Sequence, residues 1–166
     1  MIWNLFKAAP KRAATTGIAA VTMIAAPFTA HHEGLRLAAY LDPVGIPTIC
    51  YGETKNVKMG DVKTKKECDA LFESRLGWFA YQVDFLVEPE MEPATHAAIT
   101  SFTYNVGVGA FRRSTMRKKL NQGDLMGACN ELKRWVYADG RKFKGLERRR
   151  AAERNLCLQG GLDVRA

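Results

Sequence analysis

The sequence lacks the cysteine and histidine spacings with which proteins hold a structural metal ion. None of its four cysteines belongs to a C-x-x-C pair, and we predict no metal site and no cofactor. Zinc-finger spacing, an RNP-like aromatic strand motif and a basic region followed by heptads are also missing, so we expect no nucleic-acid partner. The 166 residues contain no repeat and no long linker, and they suit one compact domain.

Acidic residues are few relative to basic ones, 17 against 25, which gives a net charge of +8. A basic surface attracts polyanions, including acidic wall polymers and anionic lipids, although surplus Lys and Arg can also simply solvate a surface.

The even number of cysteines fits two disulfides in an oxidising compartment, with four buried thiols as the alternative. Three pairings are possible, of which Cys50–Cys68 with Cys129–Cys157 is one.

Residues 13–30 contain no charged residue and no leucine, and the residues before them carry basic side chains but no acidic one. This order is typical of an export signal. A cleaved signal would place Phe28 at position −3 of a cut after Ala30, and a permanent anchor needs more hydrophobicity than seven alanines supply. We favour a temporary anchor that later leaves the bilayer, within an N-terminal segment at 1–30 followed by a catalytic domain at 31–166. Pro27 is expected to break or kink any helix in this stretch.

The next part of the chain predicts a small antiparallel sheet and then a long helix. Turn formers and β-branched residues favour short strands at Thr48–Tyr51 and near Asn56–Met59. Thr64 and Glu67 form a capping box, after which apolar residues recur at three- and four-residue steps. They are Cys68, Leu71, Phe72, Leu76, Phe79, Val83 and Leu86.

From Pro93 onward the pattern predicts consecutive helices. Pro93 can open one that runs to about Tyr104. Ser114 can cap a short helix that ends near residues 121–123, and Asp124 can cap the next, which is expected to run through Trp135 and Val136. A last helix is expected over residues 146–158, closed by Gly160-Gly161. The predicted class is α+β, with a small sheet lobe and a mainly helical lobe joined by a long helix, and a cleft between the lobes.

Glu33, Asp42 and Thr48 are the candidate catalytic residues. Cleavage of a glycosidic bond needs one protonated carboxylic acid to protonate the leaving oxygen and a second, ionised carboxylate on the far side. Glu33 would end the first helix, Asp42 would start a turn of the sheet, and the hydroxyl of Thr48 could hold a water molecule. The spacing alone says only that the three residues could converge, since a chain with 17 acids holds many such pairs.

A longer run of residues carries more information. EGLRLAAYLDPVGIPTICYG, residues 33–52, closely resembles the catalytic segment of phage-type lysozymes, the endolysins of tailed bacteriophages. In that family a Glu is followed by an Asp after eight residues and then by a Thr after five, as at Glu33, Asp42 and Thr48. The resemblance continues in FTYNVG at 102–107, in GACNELKRW at 127–135 and in KGLxxRR at 144–150.

The resemblance implies a lysozyme-like fold and a muramidase that cuts the β-1,4 bond between N-acetylmuramic acid and N-acetylglucosamine of peptidoglycan. It implies that Glu33 is the acid, that Asp42 stabilises the transition state, and that Thr48 positions the attacking water in an inverting reaction. Asn105 aligns with a polar residue near the substrate cleft, although it could equally cap a helix before Gly107. Glu53 stands where many members carry a histidine, and we do not expect it to be catalytic.

Some endolysins of this kind carry a signal-anchor-release segment, which residues 13–30 resemble. The resemblance implies a monomer that is tethered to the inner membrane, faces the periplasm, and later enters it. No cysteine precedes Cys50, so disulfide exchange from within the anchor is excluded. The alternatives are a tethered wall-binding protein without catalysis, and a membrane-lytic helix in the basic run from Lys142 to Arg154. We expect that run to be a solvated helix face instead.

Overall fold

A computed structural model describes residues 14–138 and 140–162 of the chain. It confirms the predicted α+β class, because a small antiparallel sheet is followed by a mainly helical lobe. The elements are α1 (Ala14–Glu33), β1 (Arg36–Leu41), β2 (Pro47–Cys50), α2 (Lys65–Leu86), α3 (Pro93–Val106), α4 (Val108–Arg113), α5 (Thr115–Asn121), α6 (Leu125–Glu131), a 3-10 turn (Leu132–Arg134), β3 (Tyr137–Ala138), β4 (Arg141–Lys142) and α7 (Lys144–Leu162).

The sheet lobe is built on the hairpin of β1 and β2. These strands pair antiparallel, with Tyr40 opposite Thr48 and Leu41 opposite Pro47. The prediction of a strand near residues 56–59 is wrong, since β1 pairs with β2 instead. Asn56 has a φ of 58°, which interrupts any extended run, and Asn adopts this left-handed conformation more readily than most residues.

The long helix α2 begins at the predicted capping box. The Thr64 side chain accepts from the Glu67 amide, and the Glu67 carboxylate accepts from the Thr64 amide at 2.7 Å. The predicted apolar face is buried at most positions, but Leu71 is exposed. A disulfide between Cys50 and Cys68 joins the end of β2 to the first turns of α2, so the sheet lobe is fixed to this helix.

Three helices of the helical lobe start where the sequence predicts, and α4 lies between them without having been predicted. Pro93 lies in the first turn of α3, and the Ser114 and Asp124 side chains cap α5 and α6. The helix predicted after Asp124 is shorter than expected, because a 3-10 turn and the β3–β4 hairpin follow it. A second disulfide, Cys129–Cys157, joins α6 to α7.

The last helix continues through the glycines that were predicted to close it, and that prediction is wrong. Gly160 lies where α7 approaches the start of α3. A Cβ atom built on Gly160 would be 2.4 Å from Oγ1 of Thr95 and 2.9 Å from Cβ of Glu92. A glycine is therefore required here for close helix packing, which is the other common use of this residue.

Helix α1 is packed into the domain. Its buried side chains include Val21, Ala25 and Thr29, spaced four residues apart so that they share one face. Val21 and Ala25 belong to the same apolar cluster as Ile49 of β2 and Leu76 of α2. The helix passes through the exposed Pro27 without ending there, and it continues beyond residue 30 to Glu33.

None of the helices in the described ranges is both long enough and apolar enough to cross a bilayer.

Candidate active site

Glu33 is the last residue of α1, as the sequence predicts. Gly34 follows with a φ of 73°, a left-handed conformation that ends helices and that glycine adopts at little cost. The Glu33 carboxylate accepts a hydrogen bond from Nη1 of Arg149 at 2.6 Å, and its side chain is 19% exposed. The end of α1 is therefore held to α7 by a short, charge-assisted hydrogen bond.

Arg149 connects Glu33 to a buried network. Its Nε donates to the Glu153 carboxylate at 3.0 Å, and its Nη2 donates to the Ser101 carbonyl at 3.3 Å. The Ser101 hydroxyl donates to the same oxygen of Glu153 at 2.9 Å. Burial raises the pKa of the Glu153 carboxyl above its ordinary value, and the nearby arginines act in the opposite direction.

Arg150 completes the network on the other side of Glu153. Its Nε lies 3.0 Å from the second oxygen of Glu153, and its Nη2 donates to Oδ1 of Asn105 at 2.8 Å. Burial lowers the pKa of the Arg150 guanidinium to about 10. The prediction that the basic run from Lys142 to Arg154 is a solvated face is therefore wrong for Arg149, Arg150 and Glu153, which are buried, whereas Lys142, Lys144 and Arg148 are exposed.

The bond from Arg150 fixes how the Asn105 amide is oriented. A guanidinium group only donates hydrogen bonds, so the Asn105 oxygen must face Arg150 and its NH₂ group is left to donate elsewhere. Helix α3 ends one residue later at Val106, and Gly107 follows with a φ of 85°. The side-chain bond to α7 replaces the helix-capping bond that the sequence left as an alternative for Asn105.

Asp42 and Thr48 are arranged around the turn between β1 and β2. Oδ1 of Asp42 accepts from the backbone amides of Val44 at 3.0 Å and Ile46 at 2.8 Å, so the turn orients the carboxylate. Thr48 is buried, and its hydroxyl donates to the Ile46 carbonyl at 2.9 Å. The Thr48 oxygen keeps lone pairs that can accept from a water molecule.

A cleft of about 190 Å³ contains two of the four candidate residues. Glu33 and Asn105 both line it, whereas Asp42 and Thr48 are not among its lining residues and are linked to each other through Ile46. The other lining residues are Tyr51, Gly52, Arg75, Phe79 and Tyr104.

Tyr104 forms part of the cleft wall and joins the two lobes. Its hydroxyl donates to the Tyr51 carbonyl at 2.8 Å, which connects α3 to the sheet lobe. Burial raises the pKa of the Tyr104 hydroxyl well above its ordinary value, and the charge of Glu33 adds to the effect. Tyr104 is therefore neutral and can donate a hydrogen bond at any physiological pH.

Glu53, at the position where the resembling family often has a histidine, forms an ion pair of its own. Nη1 of Arg75 donates to both carboxylate oxygens of Glu53, at 2.9 Å and 3.0 Å. The pair joins the sheet lobe to α2 beside the cleft, so the acidic partner lies on the sheet and the basic one on the helix.

Sequence reasoning did not identify Arg75, Tyr104 and Arg149 as residues of the site. The KGLxxRR match was the one signal for Arg149, but it named no partner for either arginine. In residues 14–138 and 140–162, no group of three or more His, Cys, Asp or Glu side chains could hold a metal ion.

Comparisons with known proteins extend these findings. A family model for phage lysozyme matches residues 30–153. A SAR-endolysin of Bacteriophage PS119 is 46% identical over 129 residues, which covers 77% of this chain and 77% of that protein.

Solved structures agree with the sequence relatives. The muramidase domain of SpmX from Asticaccaulis excentricus has a TM-score of 0.75 and 30% identity, over 81% of this chain and 94% of that one. The active form of the P1 phage endolysin Lyz has a TM-score of 0.74 and 26% identity, over 89% and 94%. The chain therefore belongs to the phage lysozyme family, and it is a glycoside hydrolase, a lysozyme of the endolysin kind with peptidoglycan as its substrate.

Proposed function

We propose that the protein is a muramidase that cuts the β-1,4 bond between N-acetylmuramic acid and N-acetylglucosamine, with Glu33 as the general acid. The observation that carries this proposal is the placement of the Glu33 carboxyl group. It lines a cleft between the lobes and is held there by Arg149, so a glycosidic oxygen in the cleft would meet a carboxyl group of fixed direction. Proton transfer to a leaving group needs such positioning.

Asp42 is proposed as the second carboxylate and Thr48 as the residue that positions the water. Two backbone amides fix one oxygen of Asp42, which leaves the other to act on the positive charge that develops on the sugar. Inversion at the sugar carbon needs the two carboxyl groups to lie roughly 6.5–9.5 Å apart in the working complex, with a water molecule between them.

Asn105 is proposed as a substrate-binding residue. Arg150 occupies its amide oxygen, so its NH₂ group can donate to a sugar hydroxyl or to an N-acetyl oxygen in the cleft. An Asn105→Ala variant should raise KM for peptidoglycan more than it lowers kcat, because the interaction is made before and during the reaction alike.

The test of the proposed chemistry is a comparison of Glu33→Gln and Asp42→Asn with Glu53→Gln on isolated peptidoglycan. We expect the first two to lose at least a hundredfold in kcat, because each removes a group that acts in the transition state. Glu53→Gln is the control, since it also removes a carboxylate beside the cleft. Mass analysis should find reducing ends; anhydro ends, or full activity of Glu33→Gln, would contradict the proposal.

We also propose that the N-terminal segment at 1–30 is a signal-anchor-release segment and that residues 31–166 form the catalytic domain. The protein would first be tethered to the host inner membrane, facing the periplasm, and would then be released into the periplasm as a monomer. The SAR-endolysin names of its relatives and the absence of leucine from residues 13–30 support this sequence of events.

Because α1 packs into the domain, the proposed release from the membrane would also control activity. Val21 and Ala25 cannot be inside a bilayer and inside the domain core at the same time. Glu33 ends the same helix, so its contact with Arg149 depends on the packed arrangement. Intact-mass analysis of the released protein tests this proposal: we expect residues 1–30 to be retained, and a chain cut after Ala30 would contradict it.

A further inference from the structure

The sheet lobe, residues 34–64, exposes many apolar side chains. Of the 15 large hydrophobic residues that are exposed in the described chain, seven lie between residues 35 and 62, so they are concentrated in one small part of the molecule. Isolated exposed apolar residues need no explanation, but concentrated ones mark interaction surfaces. We define the β-lobe apolar surface as Leu37, Leu41, Val44, Ile46, Met59 and Val62.

Main-chain contacts place part of this surface along the edge of β1. Ala38 pairs with Val62 in an isolated antiparallel bridge, and the Lys63 amide donates to the Leu37 carbonyl at 2.8 Å. The chain at residues 61–63 therefore forms an extended edge beside β1. Val62 is 74% exposed on that edge.

The rest of the surface continues to the tip of the lobe. Leu41 pairs with Pro47 at the end of the β1–β2 hairpin, and the turn between them carries Val44 and Ile46. Val44 is 79% exposed. The edge and the tip thus present apolar side chains that the domain itself does not cover.

Positive charge accompanies these apolar residues. Residues 34–64 contain four basic and three acidic side chains, and the charge of Glu53 is compensated by Arg75 of α2. The two remaining acids, Asp42 and Asp61, each accept hydrogen bonds from backbone amides. Lys55 and Lys58 are exposed in the same loop as Met59, so a partner for this surface should combine an apolar region with negative charge.

We propose that the β-lobe apolar surface binds the surface of an anionic lipid bilayer. Its apolar side chains would enter the interfacial region, and the lysines would lie over the anionic headgroups. A bilayer is favoured over a second copy of this chain, because two copies that each carry a net charge of +8 would repel each other. β1 begins three residues after α1 ends, so the lobe also lies close to the segment for which membrane contact is proposed.

This inference goes beyond the proposed function, since it concerns the form in which α1 is packed in the domain. That form would keep a peripheral affinity for the bilayer after residues 13–30 have left it. The enzyme would then stay in the thin layer between membrane and wall.

The test is flotation of the purified full chain with vesicles of phosphatidylglycerol or of phosphatidylcholine. A Thr22→Cys/Gly77→Cys cross-link holds α1 on α2, because a Cβ at Gly77 would lie 3.9 Å from Oγ1 of Thr22. The four native cysteines are already paired and do not compete. The cross-linked protein cannot insert α1 into the vesicle, so its binding reports on the surface of the folded domain. The same flotation is then repeated with the protein that lacks the cross-link.

The decisive comparison is between two matched pairs of substitutions. Val62→Asp/Met59→Asp changes the proposed surface, and Phe85→Asp/Met126→Asp makes the same charge change at similarly exposed apolar residues elsewhere. We expect the first pair to lower the partition onto phosphatidylglycerol vesicles at least tenfold and the second pair to lower it less than threefold. The unchanged chain should bind phosphatidylcholine at least tenfold more weakly.

Three results would overturn the proposal: no binding of the unchanged chain to phosphatidylglycerol, equal losses in both pairs, or a dimer in sedimentation that only Val62→Asp/Met59→Asp abolishes. The last result would assign the surface to a second copy. Cleavage of isolated peptidoglycan is measured in parallel and tests the proposed function separately, because that assay contains no lipid.

Discussion

At the scale of single residues, Arg149 connects the cleft to the interior of the helical lobe. One guanidinium group contacts the Glu33 carboxylate, the Glu153 carboxylate and the Ser101 carbonyl. Arg149 and Arg150 supply two positive charges to the network, and Glu33 and Glu153 supply two negative ones. Buried charges are tolerated when they are paired in this way. The same residue that orients the proposed acid therefore also compensates a fully buried carboxylate.

Replacement of Arg149 by methionine should lower both stability and activity. Glu153, which is 0% exposed, would lose a charge partner, and we expect the free energy of unfolding to fall by about 3–5 kcal/mol. Glu33 would lose the group that orients it, so activity on peptidoglycan should fall at temperatures where the variant is still folded. Urea unfolding and a turbidity assay measure the two effects. Arg148→Met is the control, since Arg148 is exposed on the same helix, and equal losses in both variants would contradict this role for Arg149.

His96 should make the protein less stable in mild acid. It is 6% exposed, its Nε2 lies 3.0 Å from the Ala80 carbonyl, and burial lowers its pKa below the ordinary 6.5. Below about pH 6.5 the unfolded chain therefore binds a proton that the folded chain does not, and the free energy of unfolding should fall by up to about 1.4 kcal/mol per pH unit from this residue. Urea unfolding at pH 7.0 and 5.5 measures the change.

The matched variant for this prediction is His96→Gln, which keeps an N–H donor for the Ala80 carbonyl but does not titrate. Burial also lowers the pKa of His32, so some pH dependence in the same direction should persist in the variant. A slope as steep as that of the unchanged protein would show that His96 is not its cause.

At the scale of elements, the sequence predicts the start of a helix correctly where the signal is local. The capping box at Thr64, the proline at the start of α3 and the cap at Asp124 all begin helices as predicted. Each of these signals depends on bonds within one turn of the chain, so no knowledge of the tertiary structure is needed to read it.

The predictions that failed depend on contacts between distant segments. β1 pairs with residues 61–63 on one edge, which its own sequence does not reveal. Arg149 in the basic run of α7 is buried because Glu33, Ser101 and Glu153 supply its partners. The roles of Arg149 and Tyr104 in the site were missed for the same reason, since each contacts residues about 50 or more positions away.

Gly160 allows a test of the contact between α7 and α3. A Gly160→Ala variant would place a methyl group within 3.1 Å of the Thr95 backbone nitrogen, and backbone cannot move as a flexible side chain can. We expect the free energy of unfolding to fall by about 1–3 kcal/mol, as in other overpacked interiors. Gly145→Ala in the same helix is the control, because a Cβ there meets no atom within 4 Å. The midpoint temperature of thermal unfolding should fall for Gly160→Ala and should rise or stay unchanged for Gly145→Ala.

At the scale of the whole molecule, the N-terminal helix must fit two surroundings under the proposed release. Its small residues suit both, because alanine gains little from lipid and lets helices approach closely. Ala25 is fully buried between α1 and the rest of the domain, whereas Ala19 is exposed on the other side of the helix. The two alanines therefore separate the effect of lipid from the effect of packing.

Ala19→Leu and Ala25→Leu should both hold the protein in the membrane longer, since each adds the same apolar volume to the segment. Only Ala25→Leu should also impair the soluble enzyme, because the added carbons would be forced into the core formed with Ile49 and Leu76. We expect delayed lysis of cells from both variants, but normal cleavage of isolated peptidoglycan by extracted Ala19→Leu and at least tenfold weaker cleavage by extracted Ala25→Leu. Prompt lysis by Ala19→Leu would argue against release from lipid as the controlling step, whereas full activity of extracted Ala25→Leu would show that the packing of α1 does not govern the position of Glu33.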